Sequence, residues 1–318
     1  MNLAIISITL TLCLAASCAA GTRPVIKKLG TIDCDMVETT PIVFGGRLYR
    51  FEYVRDVRYK PNTTGDSYFR FIDVATGRAT PSFAKGYHLG SAHVEGDTVY
   101  VYGAKQWGDP RIDVFWSKDL ASWESKTALD IPGWEVFNNS VCKGRKGYVM
   151  AIELGGPAEE VGARFTMRFA ESDDLINWRV TPKECVFSKE RYTACPAIRF
   201  LDDWYYMIYL EAKPGPSYVP HIVRSHDLVN WESSPLNPVL QFDDDDRRVA
   251  NSRLTAAERE RIAKAVNINN SDVDMCEHKG KTIIYYSWGD QQGTEFLAEA
   301  EYAGTLAQFL RGWFPAKP

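Results

Sequence analysis

The stretch Ser117-Lys118-Asp119-Leu120-Ala121-Ser122-Trp123 is the part of the sequence that decides the fold. Its pattern, Ser-x-Asp-Leu-x-x-Trp, returns at residues 172–178 and 225–231, so that the starting serines lie 55 and 53 residues apart. Repetition at a nearly fixed period is typical of repeated supersecondary units. Each copy follows an apolar run, and Ser and Asp side chains bond nearby backbone amides in turns. The pattern therefore predicts a turn leaving a strand, once per structural module.

Five other stretches share a second pattern, in which a short apolar run, a tight turn and an aromatic strand follow one another. They are residues 41–51, 91–102, 140–152, 196–209 and 273–286. Turn residues between two such runs predict β-hairpins. Five hairpins, each followed by a third strand and an outer turn, predict an all-β chain of five sheets. A closed ring of such sheets is a five-bladed β-propeller, which protects its strand edges by radial repetition. A β-sandwich is the alternative fold.

One segment interrupts this rhythm between the fourth and fifth hairpins. Residues 254–266 have helical spacing, and Thr255 with Glu258 forms a Thr-x-x-Glu capping box. The sequence therefore predicts one inserted short helix. The acidic run Asp243-Asp244-Asp245-Asp246 precedes it. That run predicts a solvated loop, and calcium binding is the alternative, although the spacing is not that of a known calcium loop.

The N-terminal segment predicts export. Residues 3–17 are almost wholly apolar and small residues follow, which indicates a signal peptide over residues 1–20 that is too short for a transmembrane span. Cys18 is a candidate lipid anchor of a bacterial lipoprotein, and cleavage after Ala20 is the alternative. The protein is then periplasmic or on the cell surface, with residues 21–318 as a single domain. The formal net charge of −4 and the lack of a basic block exclude nucleic acid as a partner.

The cysteines indicate neither a disulfide framework nor a zinc site. Five of the seven remain after the signal segment, and no Cys-x-x-Cys pair occurs. The sequence predicts buried free thiols with at most one bridge. No cofactor is expected, apart from a structural calcium ion at the propeller axis as an alternative role for the acidic residues there.

With the modules and their Asp-Leu-x-x-Trp turns in hand, the chain resembles the five-bladed glycoside hydrolase propellers. These form the clan of families 32, 43, 62, 68 and 117, with the related family 130, and the resemblance covers residues 30–315. It implies an axial funnel in which carboxylates at the starts of the innermost strands cleave glycosidic bonds. The implied function is exo-acting hydrolysis of a carbohydrate. A non-catalytic carbohydrate-binding propeller and a glycoside phosphorylase are the alternatives.

The family signature is incomplete in this chain. The base of family-43-like members is an Asp directly before a Pro, whereas here Thr40 precedes Pro41 and Glu38 is the nearest carboxylate of the same strand parity. The second carboxylate is replaced by His93. The general acid is a Glu two residues before a Pro, and here that position is Ala194. These departures predict a relocated acid or a binding protein that has lost it.

The candidate catalytic residues lie on the strands that are predicted to be innermost. Asp272 and Asp274 share strand parity, so both side chains leave one face. Two close carboxylates raise the pKa of one of them, which suits a general acid. Asp35 or Glu38, which open the first module, is the predicted base or nucleophile, and His93 is a further candidate acid.

The candidate substrate-binding residues are two arginines, two glutamates and a tryptophan. Arg50 and Arg199 lie in strands, and arginines facing a funnel would grip an anionic sugar bidentately. Glu153 and Glu211 each end an apolar strand and need a partner there. Exposed indoles can stack on sugar rings. The candidate stacking residues are Trp107, Trp134 and, as the favoured one, Trp288.

Overall fold

The computed structural model describes residues 23–55, 66–215, 217–290 and 293–315. Within these ranges the chain is built almost entirely of antiparallel strands in several sheets, so the all-β prediction is confirmed. None of the helices in these ranges is long and apolar enough to cross a membrane. The predicted signal peptide and Cys18 lie outside the described residues, and both stay predictions.

The first half of the described chain forms three separate sheets after an opening strand, β1 (Ile26–Cys34). The first sheet consists of β2 (Thr40–Phe44), β3 (Arg47–Arg55), β4 (Ser67–Asp73) and β5 (Arg78–Ala79). The second consists of β6 (His88–Glu95), β7 (Thr98–Ala104), β8 (Arg111–Ser117) and β9 (Glu124–Asp130). The third consists of β10 (Glu135–Lys143), β11 (Tyr148–Gly156), β12 (Thr166–Ser172), β13 (Trp178–Val180) and β14 (Val186–Phe187), with helix α1 (Ala158–Val161) after β11.

The second half forms one eight-stranded sheet made of two antiparallel groups. The fourth group is β15 (Thr193–Leu201), β16 (Trp204–Ala212), β17 (Tyr218–Ser225) and β18 (Trp231–Ser233). The fifth is β19 (Asn269–His278), β20 (Lys281–Gly289) and β21 (Glu295–Tyr302), completed by β1. A single parallel pair, Tyr218 with Asn269, joins the two groups. A 3-10 helix (Asp244–Arg247) and α2 (Ala256–Lys264) lie between them, and α3 (Leu306–Gly312) follows β21.

The predicted inserted helix is confirmed as α2. Thr255 is its N-cap, and the capping box with Glu258 is formed in both directions. The prediction of a single helix was incomplete, because α1 and α3 are also present in the described chain. The start of α3 carries the same signal, a capping box between Thr305 and Gln308. A capping box satisfies two orphan backbone donors, so both signals were readable from the sequence.

Strand β1 does not open the first sheet. It pairs antiparallel with β21, from Ile26 opposite Tyr302 to Cys34 opposite Phe296. The prediction that Asp35 opens the first module is therefore wrong, because Asp35 follows a strand of the last sheet. Only Glu38 leads into β2. Pairing between two ends of a chain leaves no local mark in the sequence, whereas a hairpin is marked by its turn.

The leading strands of the five antiparallel groups lie next to one another. Strand β2 contacts β6, β6 contacts β10, β10 contacts β15, β15 contacts β19, and β19 contacts β2. The series returns to its first member. The residues that lead these five strands therefore meet at one place, although they are spread over most of the sequence.

The repeated Ser-x-Asp-Leu-x-x-Trp turns adopt one hydrogen-bond pattern. In the second copy, Ser172 Oγ accepts from the backbone N–H of Asp174 (3.2 Å) and of Leu175 (3.0 Å). Asp174 Oδ1 accepts from the backbone N–H of Ile176 (2.9 Å) and Asn177 (2.7 Å). The other two copies form the same four bonds. The central Leu of each copy is buried with a left-handed φ of 59°, 66° or 63°. Each copy begins at the last residue of a strand, so the predicted turn leaving a strand is confirmed.

Removing the carboxylate of one such turn should weaken the fold locally. We expect Asp174→Ala to lower the free energy of unfolding by about 1–2 kcal/mol, because two backbone N–H groups lose their acceptor. Urea unfolding measures the change. Asp173→Ala is the matched control, since Asp173 is exposed and its carboxylate pairs with Arg179 at the surface. An equal loss in both variants would contradict the structural role given to the turn.

The acidic run before α2 is not a solvated loop throughout. Asp246 is fully buried and its carboxylate accepts hydrogen bonds from Tyr286 Oη (2.8 Å), Asn267 Nδ2 (2.8 Å) and Asn270 Nδ2 (3.2 Å). Lys28 Nζ, on β1, lies 2.7 Å from its Oδ1. The prediction of a solvated loop is therefore wrong for this member of the run. We call this group of five side chains the β1 latch, because it ties β1 to β19 and β20.

Candidate active site

A cavity of about 140 Å³ lies where the five leading strands begin. One residue from the start of each strand lines it: Glu38, Leu89, Asn138, Cys195 and Asp272. Four of these five have a left-handed φ, of 56°, 55°, 50° and 49°. Such conformations cost on the order of 1–3 kcal/mol each for residues other than glycine, and they cluster at functional sites. The arrangement therefore marks this cavity as the candidate site.

Four of the leading strands bulge at this level. Their register shifts lie between His88 and Ser91, Val136 and Asn139, Ala194 and Ala197, and Ser271 and Asp274. A bulge inserts an unpaired residue and re-aims a side chain, and bulges are frequent beside active sites. The bulges thus place into the cavity side chains that strand alternation alone does not position.

Four carboxyl groups line the cavity: Glu295 opens β21, and the other three come from separate parts of the fold. Glu38 precedes β2, Asp272 lies in β19, and Glu153 lies in β11, the second strand of the third sheet. Glu153 Oε2 accepts hydrogen bonds from Asn138 Nδ2 (3.0 Å) and from the backbone N–H of Cys195 (2.7 Å). Its carboxyl group therefore reaches the backbone of the fourth group's leading strand.

Two of these carboxyl groups hold their protons more tightly than usual. Burial raises the pKa of Glu38 to about 8, the negative charge of Asp272 adds to this rise, and Arg55 opposes it. Burial raises the pKa of Glu153 to about 7, against the hydrogen bonds from Cys195 and Asn138. Neighbouring carboxylates cannot all ionise in a poorly solvated site. The cavity thus offers a proton donor near neutral pH.

The rest of the cavity wall is amphipathic. Its aromatic members are Trp107, Phe137, Phe165 and Tyr192. Two buried polar atoms, Glu38 Oε2 and Trp107 Nε1, have no hydrogen-bond partner among the described residues. Ser271 Oγ donates to Asp272 Oδ2 (2.7 Å). Apolar walls with a few convergent polar groups are the usual form of a small-molecule site, and aromatic faces with polar edges suit a sugar.

The structure places the other predicted catalytic residues outside this cavity. Asp35 forms a bidentate pair with Arg261 (2.7 and 2.9 Å). Asp274 accepts from Arg199 Nη2 (2.5 Å) and, together with Glu38 and Asp272, lines a small neighbouring cavity of about 30 Å³. His93 lines a third cavity, near the far ends of the leading strands. Glu38 and Asp272 are therefore the two predicted catalytic residues that line the 140 Å³ cavity, and Asp274 meets them only at its small neighbour.

Of the predicted substrate-binding residues, Glu153 alone lines the 140 Å³ cavity. Arg50 Nε donates to Glu52 Oε1 (2.7 Å), away from the cavity wall. Glu211 accepts from Tyr209 Oη (2.7 Å). Trp288 is fully buried and donates its indole N–H to Thr31 Oγ1 (2.8 Å), so its assignment to substrate binding was wrong. The reason is general, because a large aromatic residue usually fills a core.

Several residues of the site escaped the sequence analysis. Asn138 and Tyr192 line the cavity, and Arg55 acts on the charge of Glu38. The Asn138-Asn139 pair within β10 was the one readable signal, since Asn disfavours regular strands. Nothing in the sequence marks Tyr192 or Arg55. Trp107, one of the three candidate stacking residues, does line the cavity.

No three His, Cys, Asp or Glu side chains of the described ranges are grouped so that they could hold a metal ion. A structural calcium ion at the axis stays a prediction. The five cysteines of these ranges are free thiols, in line with the expectation from their number and spacing. Cys195 contributes its backbone N–H to the site, as described above.

The raised pKa values predict how stability depends on pH. Between pH 4.5 and about 8 the folded protein holds protons that the unfolded chain releases, so stability falls as pH rises through this window. We expect Glu38→Gln to reduce this slope and to be more stable than the wild type at pH 8 by on the order of 1–2 kcal/mol. Urea unfolding at pH 5 and pH 8 measures both. An unchanged slope in the variant would show that Glu38 ionises normally.

Comparison with known proteins gives the fold but no close relative. No family model and no curated protein matches the chain. The structure of a BT0996–RGII complex is similar over 89% of this chain and 94% of its own, with 16% identity and a TM-score of 0.59. A xylan β-1,4-xylosidase from Bacillus halodurans C-125 is similar over 87% of this chain and 54% of its own, with 12% identity and a TM-score of 0.56.

A third similar structure is an N-acetylgalactosamine deacetylase from F. plautii in complex with blood group B trisaccharide. It is similar over 92% of this chain and 96% of its own, with 12% identity and a TM-score of 0.57. The fold is thus the one seen in solved glycoside hydrolase structures, and the resemblance noted in the sequence is confirmed at this level. A fold shared with a deacetylase does not define the reaction, which has to be argued from the site.

Proposed function

We propose that the chain is a glycoside hydrolase that cleaves a terminal sugar from an oligosaccharide or polysaccharide. The observation that carries the proposal is the meeting of Glu38, Glu153 and Asp272, from three different sheets, on one aromatic-lined cavity. Glycosidic cleavage needs a carboxylic acid that protonates the leaving oxygen and a second carboxylate that acts on the sugar or on water. The cavity supplies both kinds of group.

Glu153 is the proposed general acid. Burial raises its pKa to about 7, so a large share of it is protonated at neutral pH, and a general acid works best when its pKa lies near the working pH. Its Oε2 lies 2.7 Å from the backbone nitrogen of Cys195, next to Ala194, the position at which the resembling families carry their acid. The carboxyl group missing from the fourth leading strand is thus supplied from the neighbouring sheet.

Asp272 and Glu38 together supply the second group. Burial and the nearby Asp272 charge keep a proton on Glu38, so a single negative charge is shared mainly by this pair. Ser271 Oγ donates a hydrogen bond to Asp272 Oδ2 (2.7 Å), which fixes the orientation of this carboxylate. We therefore assign the base or nucleophile to Asp272, with Glu38 as the protonated partner. Asp272 thus takes the role that the sequence suggested for Glu38, and the role of general acid passes to Glu153.

A closed five-bladed propeller is the architecture that the proposal needs. The cyclic contacts of the five leading strands support it, as does the completion of the last group by β1. A cavity of about 140 Å³ at the start of these strands has room for a small ligand rather than a chain passing through, which supports exo action.

The charge of the cavity favours a neutral sugar over the anionic one expected from the sequence. Four acids line it, the fourth being Glu295, and no basic side chain of the described residues does. Arg50 and Arg199, on which the anionic expectation rested, are bonded to Glu52 and Asp274. Since Glu38 and Glu153 hold their protons tightly, a uronate carboxylate would be repelled mainly by the negative charge of Asp272, against the attraction of Arg55.

A panel of 4-nitrophenyl glycosides tests the proposal. We expect turnover of at least one neutral glycoside, independent of added phosphate, and at least tenfold lower kcat/KM for the matching glucuronide or galacturonide. Phosphate-dependent turnover would instead indicate a phosphorylase. Preference for the uronide would contradict the charge argument.

A non-catalytic carbohydrate-binding protein is the second candidate, favoured by Ala194 at the family's acid position. It predicts that neutral oligosaccharides bind with measurable heat in calorimetry and are never cleaved on prolonged incubation. Binding that survives unchanged in Glu153→Gln, with no product from the wild type, would decide for this candidate.

A further inference from the structure

A second cavity, of about 250 Å³, lies near the far ends of the leading strands. We call it the back cavity. It is lined by the residues four positions beyond those of the candidate active site in each strand: Ile42, His93, Cys142, Arg199 and Cys276. The back cavity therefore lies on the same five leading strands as the candidate active site, towards their other end.

His93 presents an unused acceptor to this cavity. Its Nε2 is buried and has no hydrogen-bond partner among the described residues. Burial, reinforced by Arg199, lowers the pKa of His93 to about 4, and its ring also bonds to the Val141 backbone, so the ring is neutral at working pH. Since Nδ1 is then the protonated nitrogen, Nε2 can only accept. A buried acceptor without a donor is rare in folded proteins.

The charged groups around the back cavity are neutralised by neighbours. Arg199 Nη2 donates to Asp274 (2.5 Å) and to the Met275 carbonyl (2.6 Å). Lys143 Nζ donates to Glu95 Oε1 (2.7 Å), and Glu277 accepts from the backbone N–H of Leu306 (3.0 Å). The remaining wall is largely apolar. Its apolar members include Val43, Val94, Val141, Phe200 and Met275.

We propose that the back cavity is a second binding site, separate from the candidate active site. Its ligand is a neutral and largely apolar small molecule that donates one hydrogen bond to His93 Nε2. Apolar walls provide the affinity, and the single acceptor orients the ligand. A phenol has this chemistry, with a flat apolar body and one O–H donor. A sugar does not, because most of its hydroxyl groups would find no partner on this wall.

A pair of isosteric probes tests the proposal. 4-Fluorophenol and 4-fluorotoluene differ by the O–H donor, and ¹⁹F NMR titration of the full chain gives both dissociation constants. We expect 4-fluorophenol to bind about fivefold more tightly, the usual contribution of one neutral hydrogen bond. Equal affinities, or no binding of either probe, would overturn the proposal.

Three variants locate the site. His93→Phe is expected to abolish the preference for the phenol, and Ala92→Leu, which fills the same cavity, to weaken both probes at least threefold. Circular dichroism confirms that each variant is folded, and either variant alone suffices for the test. Glu38→Gln, in the other cavity, is expected to leave both affinities unchanged. A loss of binding in Glu38→Gln but not in Ala92→Leu would place the probes in the candidate active site and refute the inference.

Discussion

Glu153→Gln is expected to lower kcat about a thousandfold on glycosides with poor leaving groups. General acid catalysis contributes roughly 10²–10⁴-fold, and Gln keeps the shape of the side chain without its proton. A 2,4-dinitrophenyl leaving group departs without protonation, so its release should fall far less. The measurement is the ratio of the two losses, with the pH profile on the poor leaving group losing its alkaline limb near pH 7.

Glu211→Gln is the matched control for this experiment. Glu211 ends the second strand of the fourth group, much as Glu153 lies near the end of β11, but it bonds to Arg191 (3.1 Å) and Tyr209 outside the cavity. We expect the control to keep the wild-type ratio. If Glu153→Gln slowed both leaving groups equally, Glu153 would bind substrate without donating a proton. Thermal unfolding at pH 8 should show that the variant is at least as stable as the wild type, because a buried acid has been neutralised.

Asp246→Ala is expected to have the largest effect on stability. It leaves Lys28, which is 8% exposed, without its nearest carboxylate at 2.7 Å and with only the half-exposed Asp243 at 3.2 Å. Breaking a buried ion pair by removing one partner costs about 3–5 kcal/mol when the other charge is left unpaired, and we expect the lower end because Asp243 still partly neutralises Lys28. Urea or thermal unfolding measures the loss, and β1 should become the first strand to exchange its amide protons.

Two further variants separate the buried pair from the acidic run as a whole. Asp244→Ala removes a neighbouring carboxylate that is 98% exposed, and we expect its effect to stay within about 0.5 kcal/mol. The double variant Lys28→Met, Asp246→Leu removes both charges and should recover much of the loss. A loss in Asp246→Ala no greater than that in Asp244→Ala would show that the β1 latch contributes little.

The sequence predicted those parts of the fold that depend on neighbouring residues. The five hairpins, the three repeated turns and α2 were readable because turn residues and capping boxes act within a few positions. The strand that pairs with β1 could not be predicted, because the sequence of β1 would fit an edge position in any of the sheets. The buried Asp246 was missed for a related reason, since its partner Lys28 lies more than two hundred residues away.

A site residue was predictable only where its residue type was unusual for its place in the strand. Glu153 stood out as an acid within an apolar strand, and such a residue needs a specific environment. Asp272 stood out in a polar stretch that opens a strand. The alternation of side chains along a strand did not predict the bulges in β15 and β19 or the left-handed backbone at Asp272, Cys195 and Glu38. These features decide where the three side chains point. Those conformations are imposed by packing between sheets and leave no local signature.

Strand β1 has a consequence for biosynthesis, because it is the first described strand to be made and its partner β21 is the last. During translation β1 leaves the ribosome long before β21 exists, so the final sheet stays open until the whole chain has emerged. An open strand edge is a template for intermolecular pairing, which makes this interval the period of greatest aggregation risk. Linking the two ends and cutting the chain between two other groups gives a circular permutant in which β21 and β1 are made consecutively. Such a permutant should close its last sheet cotranslationally and give a higher soluble yield.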